Sequence, residues 1–197
     1  MQDGGRSLQR SAARHARRLL DPHARRVAAR AIARQLAARH WLHPGLRVAA
    51  FVSVGDELDT RPLLALLKAR RCKVLLPRIL DARQRTMTFS AATGALRVNR
   101  YGIPEPKGRD RLDARFCDLV LLPLVGYDAR GHRLGTGGGY YDRALAFRRL
   151  RHHWRGPKLV GLAHSAQALD AIRPLPTDIA LDAVITERGT IFFEGTT

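Results

Sequence analysis

Apolar residues recur along the chain in two rhythms. From residue 7 to 40 the spacing is helical, and Asp21-Pro22 divides the stretch in two, an aspartate suited to an N-cap and a proline to a first turn. In the second helix Val27, Ala28, Ala31, Ile32 and Leu36 share one face, arginines cover the other, and "HPG" at 43–45 ends it. Three dense apolar runs then read as buried strands: "LRVAAFV" (46–52), "CKVLLP" (72–77), closing at its proline, and "CDLVLLPLVGYD" (117–128), the longest and so central. Between the first two lies a helix, "TRPLLALLKARR" (60–71), with Thr60 as its cap. "TMTFS" (86–90) and "LRVN" (96–99) read as short edge strands, "YGIPEP" (101–106) as an extended loop, and "KLVGLAH" (158–164) and "LDAVITE" (181–187) as later strands. A helix is expected from Tyr140 to His152. Strand–helix–strand alternation predicts one α/β domain over residues 1–197, a Rossmann-like, mostly parallel sheet flanked by helices, with an N-terminal helical layer and fraying at 1–5 and 194–197.

Composition narrows the class. With 45% hydrophobic residues among 197, a real core is available and overall disorder is disfavoured. No apolar stretch reaches the roughly 18–20 residues of a membrane span. The basic N-terminus lacks a secretory apolar block, so the expected location is the cytoplasm. Cys72 and Cys117 fit no zinc or redox spacing and read as buried reduced thiols. His132, His152, His153 and His164 show no ligand spacing and are expected at the surface or satisfied; Trp41 and Trp154 read as packing anchors. The net charge of +18 attracts anions, whether nucleic acid, a nucleoside triphosphate or a polycarboxylate, and arginine–alanine usage also fits a GC-rich codon bias.

The candidate chemistry lies in "RLGTGGGYYDR", residues 133–143. Four glycines between a strand and a helix bare the peptide N–H groups, which suits an anion nest outside the carboxyl end of a strand. The run is neither a Walker A loop nor the G-x-G-x-x-G dinucleotide pattern. A flexible glycine hairpin is the alternative. Arg133 and Arg143 beside the run suit phosphate, and Asp142 beside phosphate suits Mg²⁺.

At this point the sequence resembles the 5-formyltetrahydrofolate cyclo-ligase (5,10-methenyltetrahydrofolate synthetase) family. "LLPLVGYDARGHRLGTGGGYYDRAL" matches its signature, and the basic first helix, "DELDT", "LLPR", "GIPEP" and "PTDIALDAVITE" follow in the family's order. The resemblance implies an ATP- and Mg²⁺-dependent conversion of 5-formyltetrahydrofolate to 5,10-methenyltetrahydrofolate, ADP and phosphate. It also implies roles. Gly135, Thr136, Gly137, Gly138 and Gly139, with Arg133, Leu134, Tyr140 and Tyr141, would bind ATP, helped by Arg6 and Arg10 or, one register on, Arg10 and Arg14. Val52, Glu57 and Tyr140 would bind folate, with Glu105 a weaker candidate; one tyrosine of the pair could equally be core. Arg133, Tyr141 and Arg143 would be catalytic, and Asp142 and Asp178 would hold the metal, with Asp182 as Asp178's competitor.

The sequence departs from the family by Arg6 where lysine is common, by Gly138 where many relatives carry lysine, and by Leu124 for a glycine. The expected partners are small molecules, ATP and polyglutamylated folate, with the chain a monomer away from membranes and nucleic acid. The competing readings are a basic nucleic-acid-binding domain and an ATP-dependent ligase for another carboxylated substrate. The first has charge in its favour but no recognisable module and few aromatics.

Overall fold

The computed structural model describes residues 3–99, 102–108, 110–150 and 156–193. In chain order the elements are α1 (Asp3–Arg18), α2 (Pro22–Ala37), β1 (Arg47–Ala49), α3 (Arg61–Ala69), β2 (Lys73–Asp81), β3 (Thr86–Ala91), β4 (Leu96–Val98), β5 (Pro104–Pro106), β6 (Leu119–Pro123), β7 (Gly126–Tyr127), β8 (Arg133–Leu134), α4 (Tyr140–Ala144), β9 (Lys158–Leu162), β10 (Ala183–Thr186) and β11 (Gly189–Phe192). Seven strands form one sheet in the order β11-β10-β9-β6-β1-β2-β3. The five inner strands are parallel to their neighbours, and β3 and β11 close the edges antiparallel. This is the mostly parallel, helix-flanked α/β sheet that the alternation predicts.

Period-two alternation sorts the central strands between two cores. Leu119 and Leu121 of β6 join Val48, Ile32, Leu36, Leu63 and Leu67 under α2 and α3. Val120 and Leu122 face the other way, to Phe89, Leu145, Leu159 and Val184. On α2 the buried face is Ala28, Ala29, Ile32, Ala33 and Leu36, while Val27 is 46% exposed. The helix is thus rotated slightly from the face expected. Asp21 caps it as expected, accepting from the amides of His23 and Ala24.

Several boundaries differ from expectation. Thr60 precedes α3 but makes no side-chain cap; its Oγ1 accepts from Ser53 N at 3.1 Å and pins the loop instead. β2 runs through Pro77 to Asp81. Pro77 lies opposite Phe89, whose N–H and C=O both bond Leu112 rather than β2. Pro77's missing donor would point to the β1 side, where β1 has already ended at Ala49. The run 117–128 is two elements, because the chain turns after Pro123 into the β7–β8 hairpin. The loop containing "PEP" pairs β5 with β4. α4 is one turn, continued by a 3-10 stretch over Ala146–Leu150, so the long helix is not formed within the described residues.

Residues 3–5, expected to fray, are helical, while 1–2 and 194–197 lie outside the described residues, as do His152, His153 and Trp154. Trp41 packs edge-on to Phe192 at 6.1 Å. Cys117 is buried, and burial pushes its thiol up to about 12; Cys72 is half-buried. His164 departs from expectation: it is buried, and neither ring nitrogen has a partner. Burial lowers its pKa and so keeps it neutral.

Candidate active site

In strand order, β6 is flanked by β1 and β9, so connections leave β1 and β6 in opposite directions. The crevice beyond such a divide is where open α/β sheets place ligands. After β6 the β7–β8 hairpin is tied by Asp128. Its Oδ1 accepts from the amides of Arg130 and His132, both at 2.9 Å. Its Oδ2 accepts from Ile172 N at 2.9 Å and lies 2.9 Å from His132 Nδ1. Burial alone would raise this carboxyl, but the donors hold it below the usual aspartate value.

The hairpin delivers residues 135–139 to the crevice. Among the described residues, none of their five amide N–H groups donates to a protein acceptor. Gly137 and Gly139 sit at φ 104° and 68°, in the left-handed region where glycine is at ease. A Cβ on Gly138 would stand 2.9 Å from the Tyr140 ring. Bare backbone is therefore required here for conformation at two positions and for space at a third.

One wall of the crevice is a basic pocket of about 370 Å³. Six arginines line it (Arg6, Arg10, Arg85, Arg133, Arg143 and Arg149) against two aspartates, Asp142 and Asp178, a surplus of four positive charges. Arg133 is 5% exposed and donates to Asp142 Oδ1 at 2.6 Å. Arg6 donates to Asp178 Oδ2 at 2.7 Å and to the carbonyl of Arg173 at 2.9 Å. With Gln9 on the Ala171 carbonyl, this fastens α1 over the pocket. Arg10 donates to the carbonyl of Gly135 at 3.1 Å.

Asp142 Oδ1 also accepts from Ile179 N, and Asp178 Oδ2 from Leu175 N. Asp142 Oδ2 and Asp178 Oδ1 thus have no protein partner among the described residues. No cluster of three or more His, Cys, Asp or Glu suited to a metal occurs among those residues. Two open carboxylate oxygens fit Mg²⁺, which commonly takes one or two carboxylates and fills its octahedron with phosphate oxygens and water.

The second wall is an apolar cavity, also about 370 Å³, formed beyond β1, β2 and β6. Phe51, Val52, Ile79, Met87, Tyr140 and Tyr141 give it its character. Tyr141 also packs on Phe89, with ring centroids 6.5 Å apart, and burial raises its phenol. Glu57 enters from the loop after β1. Its Oε2 accepts from Val54 N at 3.0 Å, and Oε1 has no protein partner among the described residues. Burial raises the Glu57 carboxyl above its usual value. Glu105 is 2% exposed and accepts from Ile79 N and Asn99 Nδ2. Arg133, Gly135, Gly139 and Asp142 line both cavities, so the two meet at this wall.

The structure brings together nearly every residue singled out from the sequence. Arg6 and Arg10 line the basic pocket, and Arg14 does not. Asp178 lines it, whereas Asp182 pairs with Arg148 and Leu159 N away from it. Thr136, Gly138, Tyr140 and Tyr141 line only the apolar cavity, and Arg143 only the basic one. Leu134 stands apart: its side chain is fully buried and lines neither cavity, because this second residue of β8 points into the core. The sequence reading missed Arg85, Arg149, Met87 and Asn99. Nothing local marks two arginines among thirty-one as special.

The model of the 5-formyltetrahydrofolate cyclo-ligase family matches residues 3–187. The chain is 38% identical over 143 residues to the 5-formyltetrahydrofolate cyclo-ligase of Escherichia coli (strain K12), covering 71% of this chain and 76% of that one. It is 29% identical over 204 residues to the mitochondrial 5-formyltetrahydrofolate cyclo-ligase of Arabidopsis thaliana, covering 92% and 74%. The fold matches the NMR structure of Aquifex aeolicus 5,10-methenyltetrahydrofolate synthetase with a TM-score of 0.77 at 24% identity, over 96% of this chain and 93% of that one. No helix among the described residues is long and apolar enough to cross a membrane. A family match over nearly the whole chain, on a sheet of the same fold, makes this protein an enzyme that belongs to the 5-formyltetrahydrofolate cyclo-ligase family.

Proposed function

We propose that the enzyme converts 5-formyltetrahydrofolate to 5,10-methenyltetrahydrofolate at the expense of ATP, with Mg²⁺ held by Asp142 and Asp178. The observation that carries this reading is the set of five undonated amides at residues 135–139, at the junction of an arginine-lined pocket and an apolar one. Amides without acceptors, beside a surplus of four positive charges, suit a triphosphate. The apolar cavity suits a pterin stacked on aromatic rings, with the open Glu57 oxygen accepting from its amino and ring N–H groups.

The shared wall is where the two reactants would meet. The formyl oxygen attacks the terminal phosphorus and the bond to ADP breaks. N10 then attacks the formyl carbon, phosphate departs with that oxygen, and the N10 proton is released to water or phosphate. No protein nucleophile is needed; the protein aligns the reactants and offsets charge. Arg133, at the wall, and Arg143, at the rim, are the cations for the transferring phosphoryl group. When bound, Mg²⁺ neutralises phosphate charge and favours in-line geometry. The apolar lining to which Tyr140 and Tyr141 belong would limit the water that reaches the activated intermediate. We propose a cytoplasmic monomer acting on polyglutamylated folate, to which a basic surface is attractive.

Incubating the protein with ATP, Mg²⁺ and 5-formyltetrahydrofolate tests the reading. Growth of methenyl absorbance that disappears without ATP is expected. Absence of product, or product without ATP, overturns it. Part of the helical arginine excess is turned inward: Arg17 is 6% exposed and bound to Asp56, and Arg25 donates to carbonyls of residues 17, 18 and 20. This weakens the competing nucleic-acid reading.

A further inference from the structure

The turn joining β2 to β3 brings a cation to the basic pocket that no sequence signature points to. Residues 82–85 form this turn, and Asp81 Oδ1 caps it by accepting from the amides of Arg83 and Gln84. Arg85, the last residue before β3, lines the pocket together with Gly135, Gly137 and Gly139. It reaches them because Tyr141 of α4 packs on Phe89 of β3, which sets the turn beside the glycine run.

Two further observations set Arg85 apart. Its backbone lies at φ 55°, in the left-handed region. Glycine or asparagine takes that conformation with less strain, and strain of this kind collects at functional sites. Its guanidinium also has no hydrogen-bond or carboxylate partner among the described residues. By contrast Arg133 and Arg6 are neutralised by Asp142 and Asp178. Among the arginines that line the pocket, Arg85 alone comes from the β2–β3 side, and it brings a positive charge that no carboxylate among the described residues offsets.

Resting on the ATP reading above, we infer that Arg85 is a nucleotide-binding residue, which closes the pocket from the side opposite α1 by contacting the triphosphate. It supplies a cation to a nest whose own residues, 135–139, carry none.

The test is steady-state kinetics together with binding of a non-hydrolysable ATP analogue. Arg85→Ala should raise the KM for ATP and the analogue's Kd about tenfold, the loss typical of one solvent-accessible charge-assisted contact. KM for 5-formyltetrahydrofolate should stay within about twofold, and Arg85→Lys should recover part of the loss. Arg85→Gly relieves the left-handed strain and should raise Tm by about 2–4 °C while weakening ATP as the alanine variant does. Arg71→Gly, at the other left-handed arginine (φ 55°) and outside both cavities, should raise Tm without touching kinetics. Arg83→Ala, in the same turn but outside the pocket, should be silent. Unchanged ATP parameters in both Arg85→Ala and Arg85→Gly overturn the inference while the ATP reading stands. If the wild type neither binds the analogue nor needs ATP, the ATP reading falls and the inference with it.

Discussion

Asp142→Asn separates the pairing with Arg133 that the structure shows from the metal role proposed for the same carboxylate. In the free protein Asp142 neutralises a guanidinium that is 5% exposed and whose Nε has no partner. Removing one partner of a buried pair costs about 3–5 kcal/mol. Asparagine still offers a carbonyl to Arg133, and the pocket admits water, so about 2 kcal/mol is expected. For a chain of 197 residues that lowers Tm by roughly 4–8 °C. Loss of a metal-ligating oxygen and its charge should lower Mg²⁺-dependent turnover by about 10³-fold, the scale of several kcal/mol of transition-state stabilisation.

The third consequence runs the other way. Without Asp142 the pocket's surplus rises from four positive charges to five, and Arg133 is released toward the anion. One unit charge at about 5 Å and an effective dielectric near 20–40 is worth roughly 2–3 kcal/mol before screening by salt. Metal-free ATP should therefore bind several-fold tighter to the variant than to the wild type. Calorimetry with and without Mg²⁺, a thermal melt and the methenyl assay measure the three effects. Near-normal turnover with an unchanged Mg²⁺ requirement would refute the metal role. Weaker metal-free ATP binding would refute the charge argument.

Three other outcomes follow from the geometry. Glu57→Gln keeps the bond from Val54 N but loses an anionic acceptor in the apolar cavity, so KM for folate should rise about tenfold with KM for ATP unchanged, read from paired kinetic titrations. Because burial raises the folded pKa of Glu57, its protonated form favours folding; that contribution is present below the unfolded value of 4.5 and lost as pH rises through the folded one, and Glu57→Gln should flatten this decline in melts above pH 4.5. Asp128→Asn should destabilise by about 3 kcal/mol, since several donors lose a charged acceptor, and its stability should depend less on acid. The depressed pKa of Asp128 contributes stability above the unfolded value of 3.8 that is lost as pH falls through the folded value, which a pH series of urea melts detects. Gly138→Ala forces the Tyr140 ring aside and should raise KM for folate several-fold, whereas Gly137→Ala strains a backbone at φ 104° and should lower Tm as well; equal effects from both would refute the distinction.

How much of this was legible in the sequence depended on where the decisive contacts lie. The glycine run, its flanking arginines and Asp142 are contiguous, so their chemistry could be read in place. The sheet's alternation was legible too, because buried parallel strands announce themselves as unbroken apolar runs. Pro77 misled because a proline ends a strand only where its missing donor faces a neighbour, and that depends on β1 stopping at Ala49. The inward turn of the Leu134 side chain was hidden for a similar reason: membership of a binding motif says nothing about which way a strand side chain points. Arg85 was invisible, since only the packing of Tyr141 on Phe89 brings its turn to the glycines.

The choice between Asp178 and Asp182 makes the same point. Four residues apart, they were separated in the sequence only by the family resemblance, which favoured Asp178 and left Asp182 as its competitor. Register decides, because β9 and β10 pair in parallel with Ala183 opposite Val160, which sets Asp182 beside Leu159. There the Leu159 amide and the Arg148 guanidinium occupy one oxygen each of Asp182, at 2.6 Å and 2.7 Å. Asp178 lies in the preceding turn, where Leu175 N and Arg6 bind a single oxygen and leave the other open. A carboxylate with both oxygens engaged by the sheet is structural; one with a single oxygen engaged can still ligate, and that difference appears only once strands are paired.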